Sequence, residues 1–130
     1  MRRQYHSRRI DGHELIWDVH RLVELTQRFP VQHIPLSRIA ELDECFWFDG
    51  KTGATCRAVA EHAKLIQETD LAHPIILAAD GRVMDGMHRV CKALIEGRST
   101  IAAVQFQQNP APDYVDVDIE SLPYAEPLAG

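Results

Sequence analysis

From Met87 onward the apolar positions fall at helical spacing. Met87, Val90, Cys91, Leu94 and Ile95 sit at i, i+3, i+4, i+7 and i+8, which defines one face of an amphipathic helix. His88, Arg89, Lys92 and Glu96 lie mostly off that face. Gly97 follows as the residue that lets a helix end in a left-handed turn. Upstream, the apolar run 74–78 predicts a short strand, Asp80-Gly81 a turn, and Val83-Met84 a second short strand that Asp85-Gly86 ends. Residues 100–106 alternate as a clear strand. Strand, helix and strand over this length predict a right-handed crossover with Val83-Met84 parallel to the strand at 101–106.

Nearer the N-terminus, Asp11 with Glu14 three residues on has the form of a helix start. Leu15, Val19, Leu22 and Val23 then supply a core stripe, and Phe29-Pro30 ends the helix. His13 and His20, seven apart on that helix, are too distant to share a metal and read as surface histidines. Residues 31–36 predict an edge strand, because Pro35 cannot donate to a ladder. Ser37 caps a brief helical turn at 38–42. An acidic then aromatic stretch follows, Asp43-Glu44-Cys45-Phe46-Trp47-Phe48, and it fits a lid, core or interface role equally well. Thr55 is the N-cap of a helix over 56–69 with Val59, Ala63, Ile66 and His62 on its inner face. His62 there reads as a hydrogen-bonded core histidine. Beyond Asn109, Val115, Val117 and Ile119 alternate with acids as one further edge strand, followed by a loose tail from Pro123.

These elements predict one compact α/β domain, a mixed sheet with packed helices in the α+β manner. Residues 1–32 form a basic arm and first helix, 33–108 the core, and 109–130 an acidic extension. The length of 130 residues, 45% hydrophobic and 25% charged, suits a single domain with a core of its own. No apolar run approaches a membrane span and no signal-peptide pattern opens the chain, so the expected compartment is the cytoplasm. Cys45, Cys56 and Cys91 show neither disulfide nor zinc spacing. The net charge of −5 is uneven. Arg2, Arg3, Arg8 and Arg9 crowd the first ten residues without an acid, whereas residues 109–130 hold five acids and no base. The remainder is also acidic, which weighs against a dedicated DNA binder.

The chemistry gathers at Asp85-Gly86-Met87-His88-Arg89. A strand feeding a glycine turn and then a helix brings free N–H groups, the positive helix end and two basic side chains to one corner, an arrangement suited to phosphate. Arg89 offers a bidentate grip on phosphate oxygens, and His88 a hydrogen bond or a proton. Asp85 would repel a phosphate unless a cation such as Mg2+ lay between them. A plain turn, with Asp85 capping the helix, is the alternative the spacing allows. Gly50-Lys51-Thr52 is not a P-loop, since Cys45 stands where that motif needs glycine. Lys51 remains within reach of a bound anion.

With Pro74-Ile75-Ile76-Leu77, a turn, Asp85-Gly86-Met87-His88-Arg89 opening a helix and Gly97 before the next strand, the chain resembles the ParB/sulfiredoxin superfamily. The resemblance runs from His33-Ile34-Pro35-Leu36 to Phe106. It implies a compact α/β domain whose corner binds nucleotide phosphates: CTP in ParB partition proteins, ATP in sulfiredoxins, ADP or ATP in free serine kinases. Sulfiredoxins carry a reactive cysteine just before the His-Arg pair, where this chain has Met87, and a thioether cannot do that chemistry. ParB has Gly-Glu-Arg-Arg in place of Gly86-Met87-His88-Arg89 and continues into DNA-binding and dimerisation regions, whereas this chain ends at Gly130. The kinase-like branch shares Asp-Gly-His-His-Arg, matched at Asp85, Gly86, His88 and Arg89 but not at Met87. Those kinases use a glutamate after the first strand as a base, for which Glu44 is the candidate and Glu41 the second.

The resemblance therefore implies a nucleotide (ATP, ADP or CTP) held with Mg2+. Gly86, Met87, His88 and Arg89 would bind phosphate and Asp85 the metal, with His88, Glu44 and Asp85 as the catalytic set. The expected reaction is Mg-dependent phosphotransfer or nucleotide hydrolysis, with a small-molecule or protein acceptor. The alternative is a non-catalytic nucleotide-responsive or DNA-associated partition module. No membrane partner is expected, and a homo-oligomer is left open.

Overall fold

A computed structural model of the chain describes residues 4–48 and 53–123. Arg2, Arg3, the Gly50-Lys51-Thr52 loop and the tail from Tyr124 lie outside the described residues. The rest forms a mixed α/β domain with two sheets and three α-helices among the described residues.

The chain begins with a hairpin where the helix pattern was expected. Strands β1 (Tyr5–Ile10) and β2 (His13–Asp18) pair antiparallel, with Ile10 opposite His13. Asp11 and Gly12 both take positive φ, 52° and 80°, which is the two-residue turn that Asp-Gly favours because its twist matches the strands. Asp11 is thus a turn residue and not a helix cap, and Arg8 and Arg9 belong to a strand and not to a loose arm. The helix α1 (Val19–Thr26) starts only at Asp18, whose carboxylate caps the His20 N–H at 3.0 Å. Of the expected stripe, Val19 and Leu22 are buried, but Val23 is 40% exposed.

The second sheet has the order β3–β6–β4–β5. The strands are β3 (Gln32–Pro35), β4 (Ile75–Leu77), β5 (Val83–Asp85) and β6 (Thr100–Gln105). β3 is the expected edge strand, antiparallel to β6. The parallel partner of β6 is β4, while β5 runs antiparallel to β4. The crossover expected between the Val83-Met84 strand and β6 therefore connects β4 to β6, with β5 and the helix α3 (Met87–Ile95) both lying in the connection. A tight turn at Asp80-Gly81 forces β4 and β5 into a hairpin, and that takes β5 to the outside of the sheet.

Period-two alternation across this sheet divides the core in two. Ile75, Leu77, Val83, Ile101 and Ala103 face α3 and meet Met87, Val90 and Ala93. Ile76, Met84 and Val104 face the other way and meet Trp17, Leu22 and Phe106. Leu94 and Ile95, expected on the apolar face of α3, are 54% and 73% exposed, because the sheet covers an arc that ends at Ala93. Thr55 caps the helix α2 (Cys56–Glu68) as expected, through its hydroxyl and the Ala58 N–H at 3.1 Å. Its inner face is Ala58, His62 and Ile66, all half-buried, while Val59 stands 50% exposed. The segment at 36–43 is two short 3-10 turns.

The acidic extension folds back onto the hairpin. Only Tyr114–Val115 (β7) of its predicted strand forms, pairing with β2. Asp113 binds Arg21 at 2.8 Å and the Asp116 carboxylate lies 2.7 Å from His13 Nδ1, so acids of the extension find partners on β2 and α1. No described helix is long and apolar enough to cross a membrane.

Candidate functional site

β5 delivers Asp85 to the edge of the sheet, and the turn into α3 follows at once. Gly86 has φ 110° and ψ 22°, a left-handed conformation that L side chains rarely adopt. A Cβ there would also lie 2.6 Å from Ile75 Cγ2 and 2.8 Å from the Arg89 guanidinium. Glycine is therefore required by the fold itself, before any ligand is considered. No side chain caps α3, so its first-turn N–H groups have no intrahelical acceptor and no capping side chain.

Arg89, one turn into α3, reaches back to Asp85. One terminal guanidinium nitrogen donates to an Asp85 carboxylate oxygen at 3.2 Å and to the Pro74 carbonyl at 3.3 Å. Both side chains are mostly buried, and the buried Nε of Arg89 has no partner among the described residues. The pairing is single-pronged, so the guanidinium keeps donors unused.

Two hollows meet at this pair. On one side is a cleft of about 570 Å3, lined mainly by apolar side chains of α1 and the sheet: Val19, Val23, Phe29, Ile76 and Val104 among them. On the other is a smaller, more polar hollow of about 290 Å3, walled by Leu65, Glu68 and Thr69 at the end of α2 and by Gly86 and His88. Asp85, Arg89 and Gln4 line both. Gly86 and His88 border the polar hollow. The Met87 side chain is 5% exposed within the core, while its backbone N–H lies in the uncapped first turn of α3.

His88 has partners that its own segment gave no sign of. Its Nε2 lies 2.9 Å from Nδ1 of His62 on α2. The indole of Trp47 covers both imidazoles, with ring centroids 4.3 Å from His62 and 4.5 Å from His88 and planes within about 20°. Burial, then the neighbouring His62 and Arg89, lowers the pKa of His88 from 6.5 to about 4. Burial also lowers that of His62. Both shifts favour the neutral rings, and a hydrogen bond between the facing nitrogens needs a proton on one of them. The core-histidine reading of His62 is right about the hydrogen bond but not about depth, since the ring is only half-buried.

His6, on β1, is a third histidine near the corner, tilted against Trp17 with centroids 5.8 Å apart. Burial, then Arg8, takes its pKa to about 4, against the attraction of Asp85. Glu44 stands elsewhere. It makes a two-pronged ion pair with Arg82, at 2.6 and 3.1 Å, and lines neither hollow. That pair holds its carboxyl below the usual range. Glu41 is 2% exposed and accepts the backbone N–H of Val83, acting as a strand substitute along β5. Arg8, from the basic segment, pairs with Asp80.

For a resident metal the donor set does not fit. Asp85 already faces a guanidinium, which weakens it as a cation ligand, and no three His, Cys, Asp or Glu side chains converge among the described residues. Gln4, His6, Trp47 and His62 are the neighbours that spacing alone did not connect to the corner, because each comes from a distant segment. No family model, curated protein or solved structure matches the chain.

Proposed function

We propose that this chain forms a nucleotide-binding domain of ParB/sulfiredoxin type, with ATP, ADP or CTP as ligand and the phosphates at the N-terminus of α3. One observation carries the reading: the uncapped start of α3, the left-handed Gly86 and the half-used Arg89 guanidinium all border one polar hollow. Backbone N–H groups, helix dipole and Arg89 would then act on the same anion. Asp85 works against that anion, and phosphate would draw Arg89 partly away from it. Magnesium enters this reading only with the nucleotide.

Of the two forms of the reading, the side-chain pairings favour the module without turnover. His88 Nε2 is engaged with His62 and Glu44 with Arg82, so neither expected base is free. Calorimetric titration with ATP, ADP and CTP, each with and without Mg2+, tests the proposal. Binding by at least one nucleotide is expected, with Arg89→Ala weakening it about tenfold or more, the worth of a charged hydrogen bond. Absence of binding at millimolar nucleotide, with Arg89→Ala melting as a folded protein, would leave the corner a purely structural turn.

A further inference from the structure

The two tryptophans are held in different ways. Trp17 is 2% exposed and donates its indole N–H to the Pro110 carbonyl at 2.9 Å. Trp47 is only partly buried at the margin of the core, and its indole N–H has no partner among the described residues. Its segment, 45–48, is neither helix nor strand. Trp47 packs against the core on one part of its ring system and lies over the imidazole pair with another.

That pair is a flat surface. Ring centroids of His62 and His88 are 5.2 Å apart and their planes differ by 25°. With a 2.9 Å hydrogen bond between facing nitrogens, this separation places the rings edge to edge and not face to face. Two five-membered rings so joined present a broad face, which Trp47 spans. One half of the surface, His88, lines the polar hollow together with Gly86 and Arg89. A heterocycle resting on it would have its attached phosphates close to α3.

The apolar cleft offers no paired face of this kind. Its walls are mainly aliphatic, with two rings, His73 and Phe29, of which Phe29 already meets Phe106 edge-on at 5.3 Å. Nucleobases stack readily on aromatic side chains, histidine included, with little dependence on base identity.

We propose that the His62–His88 surface accepts the base of the bound nucleotide, in competition with Trp47. This rests on the nucleotide reading above. Exchange of one ring for another on the same surface leaves stacking nearly balanced, so the phosphate contacts decide occupancy. Trp47 then acts as an internal competitor that lowers apparent affinity by the fraction of time it covers the pair.

The test is tryptophan fluorescence with acrylamide quenching during titration with ATP, CTP and, separately, tripolyphosphate. Trp47→Phe assigns the signal. Nucleotide is expected to expose Trp47 to quencher, and tripolyphosphate to bind without exposing it. Trp47→Ala is expected to tighten nucleotide binding about tenfold, the relief from a competitor bound nine-tenths of the time, and to leave tripolyphosphate unchanged. Nucleotide binding that leaves Trp47 shielded overturns the proposal, as does a Trp47→Ala variant that folds and binds nucleotide more weakly. If that variant does not fold, quenching in the unaltered chain decides. Failure of both nucleotide and tripolyphosphate to bind is a separate result, and it removes the nucleotide reading itself.

Discussion

Helices α2 and α3 pack side by side, and they are held by different forces. α3 has nine residues and buries Met87, Val90 and Ala93 against the sheet. α2 has thirteen and buries none completely. It is tied instead by the His62–His88 hydrogen bond and by Lys92, whose ammonium donates to the carbonyls of Gln67 and Thr69 at 3.0 and 2.6 Å. Hydrophobic burial fixes one helix, and a few polar contacts position the other. The polar hollow lies between them, with a rigid wall that carries Gly86 and Arg89 and a second wall able to shift.

Truncating one apolar side chain on each helix should separate the two most widely. Met87→Ala is expected to cost about 3 kcal/mol by leaving a cavity in a closed core, whereas Ile66→Ala should cost about 1 kcal/mol or less because the site is already half-solvated. Urea unfolding of both variants checks this, and equal losses would break the distinction. Gly86→Ala comes next, expected to cost about 2 kcal/mol from the positive φ and the crowding by Ile75. An unchanged melting temperature would contradict the left-handed turn.

A smaller global effect is expected from His62→Ala, about 1 kcal/mol, but with a local signature. Amide exchange should quicken along α2 and stay slow through α3. Uniform quickening would mean that the helices open together.

The mildest test is acid. Burial holds His6 and His88 down from 6.5 to about 4, so between those values the unfolded chain takes up protons that the folded chain refuses. Stability from these groups is complete above pH 6.5, declines as pH falls toward 4, and levels off below. Melts across this window should show the slope, and His88→Gln should reduce it. An identical slope in that variant would place the titration elsewhere.

Most of the sheet and α3 could be read from the sequence because their signals are local. Three consecutive buried residues in β4, the Asp80-Gly81 turn and the Met87–Val90 spacing need no distant partner to be recognised. The N-terminal hairpin was hidden because Asp11-Gly12-His13-Glu14 satisfies two local rules at once, a capping box and a hairpin turn. Pairing with β7 and burial of both Ile16 and Trp17 decide between them, and those are long-range events. The parallel partner of β6 was missed for a similar reason, since strand order is set by how the whole sheet assembles. At the corner, Asp85, Gly86, His88 and Arg89 are neighbours in sequence, so their meeting was visible. Trp47 and His62 reach His88 across separate segments, and no spacing rule connects them.

The most direct measurement is an amide NMR titration of the labelled protein with ATP and CTP. The largest shifts are expected at the backbone amides of Gly86, Met87, His88 and Arg89, where first-turn N–H groups would gain a phosphate acceptor. Dominant shifts elsewhere, or no shifts at millimolar nucleotide, would contradict phosphate binding at the start of α3.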